Sequence, residues 1–90
     1  MRNAFELNRL EFMILNSLYH ANCTNPYYSM TITDLINDNE GALGARMTIY
    51  RKMKKLTKAG YIKKGCLDNH ADTFYLLEKG IKTVEGGNTI

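Results

Sequence analysis

Tryptophan is absent from this chain, and proline occurs once, at Pro26. Two cysteines among 90 residues cannot build the disulfide framework of a small secreted domain, so the expected setting is cytoplasmic with both thiols reduced. No apolar run approaches the roughly 20 residues that span a bilayer, and "MRNAFELNRLEF" lacks the apolar centre of a secretory leader. No membrane partner is expected. No internal repeat is present, and "EGALG" lacks both the lysine and the preceding strand of a nucleotide-binding loop. The six tyrosines stand without a cluster of activating groups, so no enzyme and no cofactor is expected. His20, Cys23, Cys66 and His70 form a valid zinc set by type. They would come, however, from a helix end and a hairpin tip, and no metal is expected. The remaining absence is local. Between Arg46 and Lys64 there is no acidic residue at all.

That stretch, "RMTIYRKMKKLTKAGYIKK", holds eight of the twelve basic residues. Residues 1–45 carry two arginines against five acids, and residues 65–90 two lysines against four, so both flanks are mildly acidic. Charge separated this sharply marks a surface for a polyanion. A merely solvated helix would mix Glu and Lys at i,i+4 spacing.

Residues 1–90 read as one domain, with 86–90 as a frayed tail. Asn8 to His20 has the spacing of a helix, with Leu7, Leu10, Ile14, Leu18 and Ala21 on one stripe and Phe12, Leu15 and Tyr19 on another. Two apolar sides imply burial on two sides, so Phe12, Leu15 and Tyr19 are the expected homodimer interface. The alternative is that the closing helix covers them. "ANCTNPYYS" is a turn region with room for a short strand. Thr31 or Thr33 caps a second helix, "TDLINDN", which buries Ile32, Leu35 and Ile36. After the turn "NEGALG", a third helix runs from about Ala45 to Ala59 and stops at Gly60. "YIKKGC" and "TFYLL" read as strands around the polar connection "LDNHAD", and "LEKGIKTVE" as a short final helix.

At about 100° per residue, Ala45, Ile49, Met53 and Leu56 share one side of the third helix and must face the core. Thr48, Arg51, Lys54, Lys55 and Lys58 then face outward. This is the arrangement of a second helix lying in a DNA major groove with its back on the domain. Arg46, Met47, Thr48 and Arg51 sit where base edges would be. Lys54, Lys55 and Lys58 lie further along, where phosphates would be. The expected partner is double-stranded DNA.

"TIYRKMKKLTKAGYIKK" is similar to the recognition helix of winged helix-turn-helix regulators of the MarR and PadR type, and "FYLLEKG" resembles their strand-to-helix segment. The resemblance spans roughly residues 29–84. It implies an α+β winged helix-turn-helix fold: a three-helix core, a two- to three-stranded wing sheet and a short C-terminal helix. By resemblance Thr48 and Arg51 take base-contacting positions, and Lys55 and Lys58 backbone positions. Residues 67–71 become the wing tip, with Asn69 and His70 in place of the usual arginine and Lys63 and Lys64 supplying charge at its base. The turn "DNEGALG" is longer than the compact form, so the angle between helices two and three can differ. The long sensing helices of the larger regulators are missing, so no small-molecule effector is expected. The implied function is a sequence-specific DNA-binding protein, first of all a small transcriptional repressor acting as a homodimer. Two alternatives stand beside it: an accessory protein marking a plasmid or phage site for replication, partition or transfer, and a winged helix serving as a protein-interaction module.

Overall fold

The computed structural model describes residues 7–66 and 71–87. Its elements are α1 (Arg9–His20), β1 (Met30–Thr31), α2 (Ile32–Asp38), α3 (Arg46–Lys58), β2 (Ile62–Lys64), β3 (Thr73–Leu76) and α4 (Glu78–Gly87). The α+β order predicted from the sequence is the order observed. No helix among the described residues is long and apolar enough to cross a membrane.

Side chains and turn residues fix the helix ends. Asn8 caps α1 in a capping box: its side chain accepts from the Glu11 N–H at 2.9 Å, while Glu11 Oε1 accepts from the Asn8 N–H at 3.0 Å. Thr31 and Asp34 repeat the device on α2. Past α3, Gly60 adopts φ +87°, and the Tyr61 N–H closes on the Leu56 carbonyl at 3.0 Å, a Schellman ending that favours glycine. The same ending on α2 is made by Glu40 at φ +51°. A side chain in that region costs about 1–2 kcal/mol, whereas glycine adds about 0.5–1 kcal/mol of unfolded-chain entropy. Glu40→Gly is therefore expected to stabilise the domain by about 0.5–1 kcal/mol, read as a higher denaturant midpoint at unchanged m-value. An unchanged or lower midpoint would show that the strain is absorbed elsewhere.

The long turn between α2 and α3 is anchored to the domain. Leu43 is buried, and the Asn39 amide donates to Ser17 Oγ at 2.8 Å and to the Leu35 carbonyl at 2.9 Å. The beginning of the turn is thus tied to both α1 and α2.

The core joins Ile14, Leu15 and Leu18 of α1 to Leu35, Ile49, Met53, Leu56, Ile62, Leu76 and Val84, all at most 1% exposed. Each such side chain contributes about 1.5–3 kcal/mol by leaving water. Leu15 corrects an expectation. It is 0% exposed inside a single chain, so it cannot line a dimer interface. Helix α4 packs along α1, and the Tyr19 hydroxyl donates to Glu85 Oε2 at 3.0 Å. Much of the second apolar stripe is therefore covered by the closing helix. Phe12 remains half-buried.

The sheet order is β1-β3-β2, antiparallel throughout, with Met30 opposite Phe74 and Lys64 also opposite Phe74. Gly80 lets α4 return against this sheet. A Cβ there would meet the Tyr61 carbonyl oxygen at 2.5 Å and Leu76 Cδ2 at 2.8 Å. The glycine of "FYLLEKG" is thus required by close approach.

Candidate nucleic-acid interface

Helix α3 turns Ile49, Met53 and Leu56 into the core. That leaves Arg46, Met47, Thr48, Tyr50, Arg51, Lys54, Lys55 and Lys58 exposed. Its first turn has neither a side-chain cap nor an acidic residue, so it keeps the positive end of the helix dipole uncompensated. The exposed residues are not equivalent. Arg46 Nη2 donates to Thr33 Oγ1 at 2.7 Å, which ties its guanidinium to the start of α2. Thr48 and Arg51 project from the outer face, and Arg51 has no ion-pair partner among the described residues. Lys54 lies 5.5 Å from the centroid of the Tyr50 ring, within cation–π range.

Lys55 and its neighbour Lys52 are held by a group the sequence reading passed over. Lys52 Nζ and Lys55 Nζ both approach Glu11 Oε2, at 3.2 and 2.8 Å, and Glu11 is 0% exposed. Burial alone would push the Glu11 carboxyl upward. The Lys55 ammonium, the Asn8 N–H and Lys52 together outweigh it and hold the carboxyl below its ordinary value. Part of the positive charge of α3 is thus directed back to α1, and the carboxylate bolts the two helices together. The visible signal was Asn8-x-x-Glu11, the spacing of a capping box.

The two wing-base lysines part company. Successive strand residues face opposite sides of a sheet. Lys64, opposite Phe74, shares a cleft with Tyr50, Lys54, Thr57 and Lys58 of α3. Lys63, opposite Tyr75, lies on the other side of the sheet. Lys64 Nζ is 3.3 Å from Asp72 Oδ2. Asn69 and His70, the expected wing-tip residues, lie outside the described residues. Of the residues the sequence reading proposed, Lys54, Lys58 and Lys64 line this cleft, while Thr48 and Arg51 are exposed on the outer face of α3. Tyr50 belongs with them and was missed. It flanks the apolar stripe directly after Ile49, a position open to either side of the helix.

A three-helix core, a β1-β3-β2 sheet and a basic α3 face beside the sheet define a winged helix-turn-helix protein of the DNA-binding type. No family profile matches the sequence. The chain is 32% identical over 79 residues to the DNA-binding protein TubR of Clostridium botulinum C phage, spanning 88% of this chain and 94% of that protein. It belongs to the TubR family of DNA-binding proteins. The solution structure of the DNA-binding TubR fragment from Clostridium botulinum superposes with a TM-score of 0.69 at 30% identity, covering 91% of this chain and 98% of that one. MepR of S. aureus, solved in complex with DNA, shares the fold with a TM-score of 0.73 at 20% identity, over 92% of this chain and 63% of that one.

Proposed function

We propose that this protein binds duplex DNA sequence-specifically and acts by occupying its site. Helix α3 lies in the major groove, Thr48 and Arg51 meet base edges, and Lys54, Lys58 and Lys64 meet phosphates. The observation that carries this reading is the acid-free outer face of α3 running into the Lys64 cleft. Occupancy of a promoter makes such a protein a repressor. Kinship with a phage DNA-binding protein favours a second use of the same chemistry, as an accessory factor that marks a phage or plasmid site. We further propose that it binds as a homodimer through the surface of α1 around Phe12 that α4 leaves half-covered. Two-fold symmetry then asks for half-sites about one helical turn, 10–10.5 bp, apart.

Salt dependence tests the DNA reading. Three lysines on phosphates predict a slope of log K against log salt of about −2.7 per protomer, or roughly 40-fold weaker binding over a fourfold rise in salt. A flat titration would leave the protein-interaction module as the better reading. Sedimentation on DNA tests the dimer, and a monomer at every concentration would exclude it.

A further inference from the structure

The cleft between α3 and the sheet encloses about 290 Å³, with Lys54, Lys58 and Lys64 around the rings of Tyr50 and Phe74. Phe74 is buried and forms its apolar floor. A second hollow of about 200 Å³ shares Tyr50 and Phe74 and reaches Arg46 and Asp72. Among the described residues Asp72 is the one carboxylate lining either hollow, and it stands against Lys64 at 3.3 Å. An acid here opposes the charge of the whole surface. The pair is also open to water, with side chains 61% and 45% exposed. Exposed pairs of this kind are weak and readily exchanged.

We propose that Asp72 competes with DNA phosphates for Lys64. In the free protein the carboxylate holds the ammonium beside the cleft. When a duplex docks, a backbone phosphate crossing from the α3 groove towards the wing takes Lys64 over, and the displaced carboxylate remains as a local repulsion. Asp72 thereby limits how tightly the surface holds DNA of any sequence, since non-specific binding consists almost wholly of phosphate attraction. The inference rests on the DNA reading above and assigns Asp72 a role within it.

The test is binding to a random-sequence duplex by the full chain and by Asp72→Asn, Lys64→Met and the double variant, each at low and moderate salt. Asp72→Asn is expected to bind about two- to fivefold tighter, the worth of one exposed ion pair. Its salt slope should stay close to that of the wild type, because Lys64 meets a phosphate in both proteins. In the Lys64→Met background the same substitution should gain less, because only the carboxylate's repulsion is left to remove and no ammonium is released. Asp72→Glu should bind like the wild type. Thermal midpoints check that every variant is folded. No gain from Asp72→Asn, or an equal gain with and without Lys64, would overturn the competition. Wild-type binding that is itself insensitive to salt would instead defeat the DNA reading, so the two failures are distinct.

Discussion

Arg51→Ala is expected to weaken binding to the selected site by about 1–3 kcal/mol, roughly 5- to 150-fold, while costing far less on random DNA. Three observations single out this arginine. It lies on the side of α3 opposite Met53 and Leu56, it is exposed, and it has no ion-pair partner among the described residues. Arg46, by contrast, is engaged by Thr33, and Lys55 by Glu11. A guanidinium one turn inside the helix, beside Thr48, can make two parallel, coplanar hydrogen bonds to guanine O6 and N7 from a rigid fork that a lysine ammonium lacks. Arg51→Lys should accordingly restore affinity for random DNA without restoring the selected site. The measurement is selection of bound sites from a random pool with each variant. If the alanine variant selects the same motif with the same ratio over random DNA, base reading lies elsewhere, and the wing is the next place to look.

The largest effect on stability is expected at Glu11. This carboxylate accepts the Asn8 N–H through one oxygen and Lys52 and Lys55 of α3 through the other, with no exposure to solvent. Glu11→Ala removes the capping box and leaves two ammoniums without their counter-charge, at a cost of about 3 kcal/mol. The figure stays below that of a fully buried pair because Lys52 and Lys55 are 25% and 53% exposed and can rehydrate. Glu11→Gln keeps the bond to Asn8 and should cost about 2 kcal/mol. The effect carries a pH signature. The folded carboxyl titrates below its ordinary value of 4.5. Its contribution is therefore complete above that value and is lost as pH falls through the lower folded one. Denaturant midpoints of the wild type and Glu11→Gln should differ at pH 7 and converge in acid. A constant gap across that range would mean that the charge is not what holds the helices together.

The fold was legible where one local rule decides. Ile49, Met53 and Leu56 keep helical spacing and have no alternative face, so α3 and its outward residues follow from periodicity alone. Gly60 ends α3 because its backbone conformation excludes most other residues. The misreadings share another cause, namely partners distant in sequence. Glu11 was passed over because its partners Lys52 and Lys55 lie 41 and 44 positions along the chain. Leu15 was open to a second subunit or to the closing helix, because spacing within α1 cannot decide between them. Lys63 and Lys64 read as a pair on a linear sequence, and only the pleat sends them to opposite faces. Tyr50 was passed over because its position on the flank of the apolar stripe is decided by how close the sheet comes.

The bond between Tyr19 and Glu85 spans 66 residues, and the packing of α1 on α4 surrounding it joins segments that leave the ribosome at very different times. Local helices can form as soon as they emerge, but the apolar flank of α1 has no cover until α4 has been made. During synthesis at about 5–20 residues per second the nascent chain therefore carries an exposed sticky face for several seconds. Codon usage or a chaperone acting on that interval would alter the yield of folded protein without changing any contact in the finished molecule.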